Sequence, residues 1–216
     1  MRTSPAYAPD LRVGPEGWRP APDGGRTSIL LPPGSYTVKL SAGGQELSQP
    51  LTVMKDPNTS GSATDIQEQT EMLMELRKDL EAAADMVNQI EMIRGQLDNL
   101  KAITRGSSDA ATVRSGADDV EKKLLDVEDK LIQRKLTGQG QDDTRWPSML
   151  VRKIAYLAGG VSSGDFAPTT QQREVHAMLK ERLAAQRKQL DQAVSTDLDG
   201  FNKMLRDRNI GNVIAR

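Results

Sequence analysis

The chain has 216 residues, with 29 basic against 30 acidic side chains, one histidine, no cysteine and 3% aromatic residues. A net charge of −1 provides no positive field for a phosphate backbone, so nucleic acid is not an expected partner. The absent cysteine excludes disulfide frameworks, thiol catalysis and thiolate metal sites, and a lone His176 excludes histidine-rich ones.

Residues 1–26 are rich in Pro and Gly without periodicity and read as an extended arm. Nine of the 11 prolines lie within residues 1–57, so the composition changes near Asp56-Pro57. Between these points, residues 27–57 read as a small β-module. Thr27 to Leu31 is a short strand candidate, and Tyr36, Val38 and Leu40 alternate with Thr37 and Lys39 as in a half-buried strand. Ala42-Gly43-Gly44 supplies a hairpin turn, and Leu47, Leu51 and Val53 return. Pro50 marks that strand as an edge or a bulge. A hairpin with one additional strand is too little for a sandwich, which needs about seven strands, and is marginal alone in water. It therefore requires a partner: the helices, another protein, or earlier strands missing from this chain.

Residues 58–216 have helical periodicity and predict helices at about 63–105, 109–136, 147–158 and 169–207. In the first, Leu73, Leu76, Leu80, Ala83, Val87 and Ile90 step by three and four, and the series continues through Ile93, Leu97, Leu100 and Ile103. Arg105 to Asp109 is a short connection that forces an antiparallel return, with Val113, Ala117, Val120, Leu124, Val127 and Leu131 on the second seam. A polar loop over 137–145 precedes a short helix opened by Trp146-Pro147 and ended by Gly159-Gly160. Thr169 and Gln172 have capping-box spacing ahead of the last helix, in which 179, 183, 190, 194, 201 and 205 repeat every 11 residues, a nearly straight rod. Rods of about 60, 60 and 55 Å fit side by side if the second is broken at the polar loop. Residues 58–137 carry 11 basic and 16 acidic groups, and 138–216 carry 12 and 9, so packed halves have opposite sign. The expected fold is mainly α with a small β part: an elongated antiparallel bundle of three long helices and one short, preceded by a hairpin or partial immunoglobulin-like sheet.

Candidate chemistry is sparse. His176 has no nucleophile or orienting carboxylate placed near it by sequence and reads as a surface or bundle-edge residue. Asp118-Asp119 diverge on a helix, Asp142-Asp143 lie in a solvated loop, and Asp197-Leu198-Asp199-Gly200 departs from a calcium loop in the place of its glycine. Gly159, Gly160 and Gly164 lack the Lys-Ser or Lys-Thr of a phosphate loop, and Asn58-Thr59-Ser60 is a chance-level glycosylation triplet. Met72, Met74, Met86 and Met92 read as gap-fillers around a seam. No catalytic, metal or cofactor residue is expected and the chain reads as non-enzymatic. Tyr7 and Trp18, aromatics in an arm with no core of its own, and Tyr36, Val38 and Leu40 are the expected partner-binding residues. No apolar run approaches the ~18 residues of a membrane span, and residues 1–26 contain no signal core, so a soluble chain without a signal peptide is expected.

The stretch Leu31-Pro-Pro-Gly-Ser-Tyr-Thr-Val-Lys-Leu40, with Gln49-Pro-Leu-Thr-Val53 and Asp56-Pro57, resembles a segment of large bacterial secreted proteins. In these a sortilin-like propeller of BNR-type repeats, often labelled glycosyl hydrolase, precedes an immunoglobulin-like module and a helical tail. Tyr156 to Ser163, Ala167 to Val175 and Asp197 to Asn202 look like that tail. The propeller has no counterpart in these residues, so no catalytic residue carries over. The resemblance implies the last strands of a sandwich plus a bundle, and an extracytoplasmic setting. It frames three functional expectations: a structural subunit docking on a larger protein assembly, an accessory region of a secreted propeller glycoside hydrolase, or a peripheral scaffold of a membrane complex.

Overall fold

The computed structural model describes residues 28–136 and 141–215. The element order is strands β1 (Gly34–Ala42) and β2 (Gln45–Val53), then helices α1 (Ala63–Ile103), α2 (Ala110–Leu131), the single turn α3 (Asp142–Arg145), α4 (Leu150–Val161), α5 (Thr170–Gln192) and α6 (Asp199–Arg206). The protein is mainly helical with a two-stranded antiparallel sheet.

Helix α1 starts where Ser62 accepts a hydrogen bond from the Asp65 N–H while the Asp65 carboxylate accepts one from the Ser62 N–H, a reciprocal capping box. Bonding to the Ser62 backbone and then to its hydroxyl lowers the Asp65 pKa, as suits a carboxylate at the positive end of a helix. Just before it, Gly61 lies against the Asp165 carbonyl so closely that an added Cβ would fall 1.6 Å from that oxygen. This contact pins the start of α1 to the α4–α5 loop, as do the bonds from Gln69 Nε2 to the carbonyls of Val161 and Gly164.

Side-chain pairs fix the directions. Arg173 on Glu68, His176 on Asp79 and Arg187 on Gln89 advance together, so α1 and α5 run parallel. Lys101 on Asp118 and Arg94 on Glu121 and Glu128 advance in opposition, so α2 runs antiparallel to α1. Helix α4 follows the direction of α2, its last turn meeting the first turns of α1. The result is three rods, up, down and up, of which the second is the broken pair α2 and α4. One continuous core contains Leu76, Leu80, Ile90, Ile93 and Leu97 of α1, Leu124 and Leu131 of α2, Ile154 of α4, and Leu179 and Leu190 of α5.

Several local expectations are corrected. Helix α2 ends at Leu131 rather than near Leu136, because Ile132 turns extended (φ −131°) and buries its side chain. Trp146-Pro147 does not open the short helix, which starts at Leu150; Trp146 instead lies under the Lys135 ammonium, 4.6 Å from the ring centre. Gly159-Gly160 does not stop it either, since burial of Ala158 and Val161 carries the helix through both glycines. The last rod is not uniform: Ala193–Leu198 forms a π-helical turn between α5 and α6. Buried positions there run Leu190, Ala193, Leu198, Phe201, Leu205, and the step of five is the extra residue that a π turn inserts to hold both halves on one seam.

At the end of α6, Asn209 adopts a left-handed conformation (φ 56°). Its N–H bonds the Arg206 carbonyl and the Ile210 N–H bonds the Leu205 carbonyl. This is a Schellman closure with Asn in the position that glycine usually takes. It turns the chain back so that Val213 is buried against the bundle.

The hairpin follows its sequence pattern closely at the turn. Gly43 and Gly44 both have positive φ (58° and 77°), and Ala42 pairs with Gln45 across a two-residue loop. Pro50 faces Thr37. Counted from the turn, that pair has its backbone nitrogens pointing outward, so the missing N–H breaks no ladder bond. The additional strand expected at Thr27 to Leu31 is not formed among the described residues. Ile29 is instead a fully buried member of the bundle core, and Leu30 makes an isolated bridge.

Candidate docking surface

Alternation along the ladder sorts the hairpin into two unlike faces. Thr37, Lys39, Ser41, Glu46, Ser48, Pro50 and Thr52 share one, where Lys39 and Glu46 form an ion pair at 2.7 Å and the Ser41 hydroxyl donates to Glu46. Tyr36, Val38 and Leu40 share the other with Leu47, Leu51 and Val53. Ala42, Gln45 and Gln49 lie on this face too, so five large aliphatic side chains and one aromatic surround two amides. That is the composition of a sheet face meant for burial.

The face is uncovered. Leu47 is 64% exposed, Leu40 59% and Val38 42%, while Leu51 and Val53 are half-buried, and neither strand packs on any described helix. Tyr36 is half-buried, and its hydroxyl donates to the Pro32 carbonyl at 2.6 Å. The expectation that alternation signals a half-buried strand therefore holds for the pattern and not for this chain alone. The structure brings Tyr36, Val38 and Leu40 together on one surface. Tyr7 and Trp18 lie outside the described residues. Fully covering a Leu or Val side chain is worth about 1.5–3 kcal/mol, so the bare face holds several kcal/mol of unused burial.

Other chemistry-bearing groups serve interhelix contacts. His176 is buried rather than at the surface, 7% exposed, with Nε2 at 2.8 Å from Asp79 Oδ2 and Nδ1 at 4.0 Å from Glu75. Its neighbour Val175 is exposed. The orienting carboxylate thus exists, supplied by α1 from 97 residues away. Its partners, Asp79 and Glu75, tie α5 to α1, and Lys180 extends the same ladder to Glu75.

The α1–α2 interface is the most charged part of the interior. Arg94 spans Glu91 at 2.6 Å, Glu121 at 3.2 Å and Glu128 at 3.4 Å. Arg134 holds Asp129 through two parallel bonds and approaches Glu128 at 3.8 Å. The Glu128 side chain is fully buried. Burial first, and then a hydrogen bond and charge repulsion from Glu91, push its pKa up to about 8 against the opposing pull of Arg94 and Arg134. Oε1 of Glu128 and Oε2 of Glu91 are both buried side-chain oxygens. Two turns further along, burial works to lower the Lys101 pKa, but bonds to Glu121, Asp118 and Asp98 outweigh it and hold the ammonium above its usual range.

Asp197 lies in the π turn and lines an open cleft of about 660 Å³ between α2 and the last rod, with Asp119, Lys123 and Phe201. Among the described residues no group of three acidic or histidine side chains is placed to hold a metal ion. Nor is any described helix long and apolar enough to cross a membrane.

No family model, curated protein or solved structure matches the chain.

Sequence reasoning missed the buried Glu91–Glu128 pair and the fixed C-terminal strap. For the former, a signal exists: both residues fall one position after seam residues, Ile90 and Val127, on helices whose antiparallel register is set by the short 105–109 loop. For the strap there is none, since its partners are the amides of Gln89, Gln96 and Asn202, residues that elsewhere belong to solvent.

Proposed function

We propose that the chain is a non-enzymatic structural subunit that docks on a larger protein assembly, its hairpin laying the Tyr36, Val38, Leu40, Leu47, Leu51 and Val53 face on the apolar face of a partner β-sheet. The observation that carries this reading is a sheet face patterned for burial on which none of the described helices packs. The occupant is a sheet rather than a helix because Tyr36, Val38 and Leu40 repeat every second residue along β1 and share a face with Leu47, Leu51 and Val53 of β2, giving the flat surface that a facing sheet interdigitates with at about 10 Å. Strands of nine residues present a surface about 30 Å long, the length of a sandwich strand pair. Tyr7 and Trp18 contribute the aromatic anchors of the same interface.

The resemblance of residues 31–40 and 49–53 to immunoglobulin-like modules of sortilin-like propeller proteins supports the same geometry, the partner sheet then being the remainder of such a module. In that setting the bundle braces or projects, and chemistry belongs to the partner. The chain by itself is expected to turn over no glycan.

Photo-crosslinking tests the reading. A photoreactive residue at Leu40 or Leu47, on the apolar face, should join the chain in its native source to strand peptides of a single β-domain. The same group at Lys39 or Ser48, on the polar face, should not. Equal yields from both faces, or products mapping to helices or lipid, would defeat the proposal.

A further inference from the structure

The C-terminal strap is held in an unusual way. After the turn at Asn209, residues 213–215 run beside α1 and α6, and each is gripped through its main chain by a side-chain amide. Asn202 Nδ2 donates to the Val213 carbonyl at 2.9 Å, while its Oδ1 accepts from the Val213 N–H at 2.8 Å. Gln96 repeats this on Ile214, with Nε2 donating to the carbonyl at 2.7 Å and Oε1 accepting from the N–H at 2.8 Å. Gln89 Nε2 donates to the Ala215 carbonyl at 2.7 Å. Primary amides present the donor and acceptor of a peptide group in one plane, so Asn202 and Gln96 act as the neighbouring strand of a ladder. Gln89 and Gln96 lie seven residues apart on one face of α1, two helical turns, and their long side chains converge on the adjacent residues Ala215 and Ile214.

Only one side chain of the strap is read deeply. Val213 is buried at 4% exposure, Ile214 points to solvent at 60%, and Gly211 has nothing within 4 Å of an added Cβ. Five main-chain bonds plus one apolar socket form the recognition pattern of an extended-peptide site, in which backbone bonds give affinity and alternate side-chain pockets give selectivity.

From this geometry we propose that α1 and α6 form a peptide clamp whose resident ligand is the strap, and that the clamp accepts in trans an extended peptide with a valine-sized residue in the Val213 position, an exposed residue of any type next, and a small residue in the half-buried Ala215 position. The partner is therefore an extended protein segment of that chemistry. This site is separate from the hairpin face and does not depend on it.

The test uses the whole chain carrying Val213→Asp, which ejects the strap by burying an unpaired charge and leaves every clamp residue intact. The probe is a fluorescent synthetic peptide of residues 207–216. Fluorescence anisotropy should show the variant binding this peptide at least about tenfold more tightly than the unaltered chain, whose socket is filled. Adding Asn202→Ala or Gln96→Ala to the variant should weaken the peptide about three- to tenfold each, as expected for lost main-chain bonds. A peptide with Asp in place of its valine should fail to bind. A concentration-dependent dimer of the unaltered chain, abolished by Val213→Asp, would show the strap of a second copy in the clamp and also supports it. Two results overturn the proposal: a helical Val213→Asp chain that binds no peptide, or one that loses its helical circular dichroism, which makes the strap part of the core. Amide exchange on the unaltered background gives an independent reading. Gln96→Ala should speed exchange of the Ile214 N–H and Asn202→Ala that of Val213, and unchanged rates would also overturn it.

Discussion

The bundle and the hairpin obey the same local rules and end in opposite states. In the bundle, the seam positions from Leu73 to Leu100 on α1 and from Val113 to Leu131 on α2 meet apolar partners, and Ser62 and Thr169 each close a capping box. In the hairpin the turn has its two positive-φ glycines, the strands alternate, and an ion pair spans the polar face, yet Leu40 and Leu47 remain in water. Local correctness is thus not the same as a finished fold. Where patterning for burial and actual burial disagree, the disagreement locates an interface.

The widest separation between the two regions should come from truncating their apolar residues. Ile90→Ala empties part of the core and is expected to cost about 2–5 kcal/mol, whereas Leu40→Ala removes a side chain already in water and should stay within about 0.5 kcal/mol. Urea unfolding followed by far-UV circular dichroism reads both. A Leu40→Ala loss approaching that of Ile90→Ala would mean that the hairpin face is covered by this chain.

Gly61→Ala sharpens the comparison at the junction. The Cβ would meet backbone, which has no flexible end to move aside, so a loss of about 1–3 kcal/mol or more is expected in the same measurement. A neutral outcome would show that the start of α1 is not pinned to the α4–α5 loop.

Titration probes the bundle interior alone. The unfolded chain releases the Glu128 proton near 4.5, the folded chain only near 8. Between these values the folded state binds more protons, so its stability is greatest below the lower value and declines as pH rises through the window, by at most about 1.4 kcal/mol per pH unit. Glu128→Gln, neutral throughout, should flatten that decline. A slope unchanged by the substitution would place the proton elsewhere.

Smallest is the cap of α5. Thr169→Ala removes the acceptor of the Gln172 N–H and should cost about 1 kcal/mol in urea unfolding, without altering hairpin exchange. A cost near zero would mean that the Thr169 box adds nothing to the closure of the bundle.

How much of this was legible in the sequence follows from distance along the chain. The rods, the antiparallel return, the break in the second rod and the hairpin turn depend on residues within a few positions of one another, so periodicity and turn chemistry reveal them. What escaped depends on remote partners. Asp79 lies 97 residues from His176, and charged residues beside a seam read as a solvated face until α1 and α2 are laid together. Gly159-Gly160 carries a stop signal that burial of Val161 overrides. The π turn hides because its extra residue leaves an apolar repeat that a straight helix also satisfies. For the hairpin, the sequence shows that a face should be buried but holds no trace of what buries it.

The most direct test of the central claim is amide hydrogen exchange on the isolated chain at a concentration where it is monomeric. The amides of Tyr36 to Val53 should exchange within a small factor of unprotected rates, because a two-stranded sheet with an uncovered face is marginal in water, while those of α1 and α2 should be protected to near the global unfolding limit. Hairpin amides as protected as those of the bundle, opening with it in one cooperative step, would contradict the claim that this face awaits a partner.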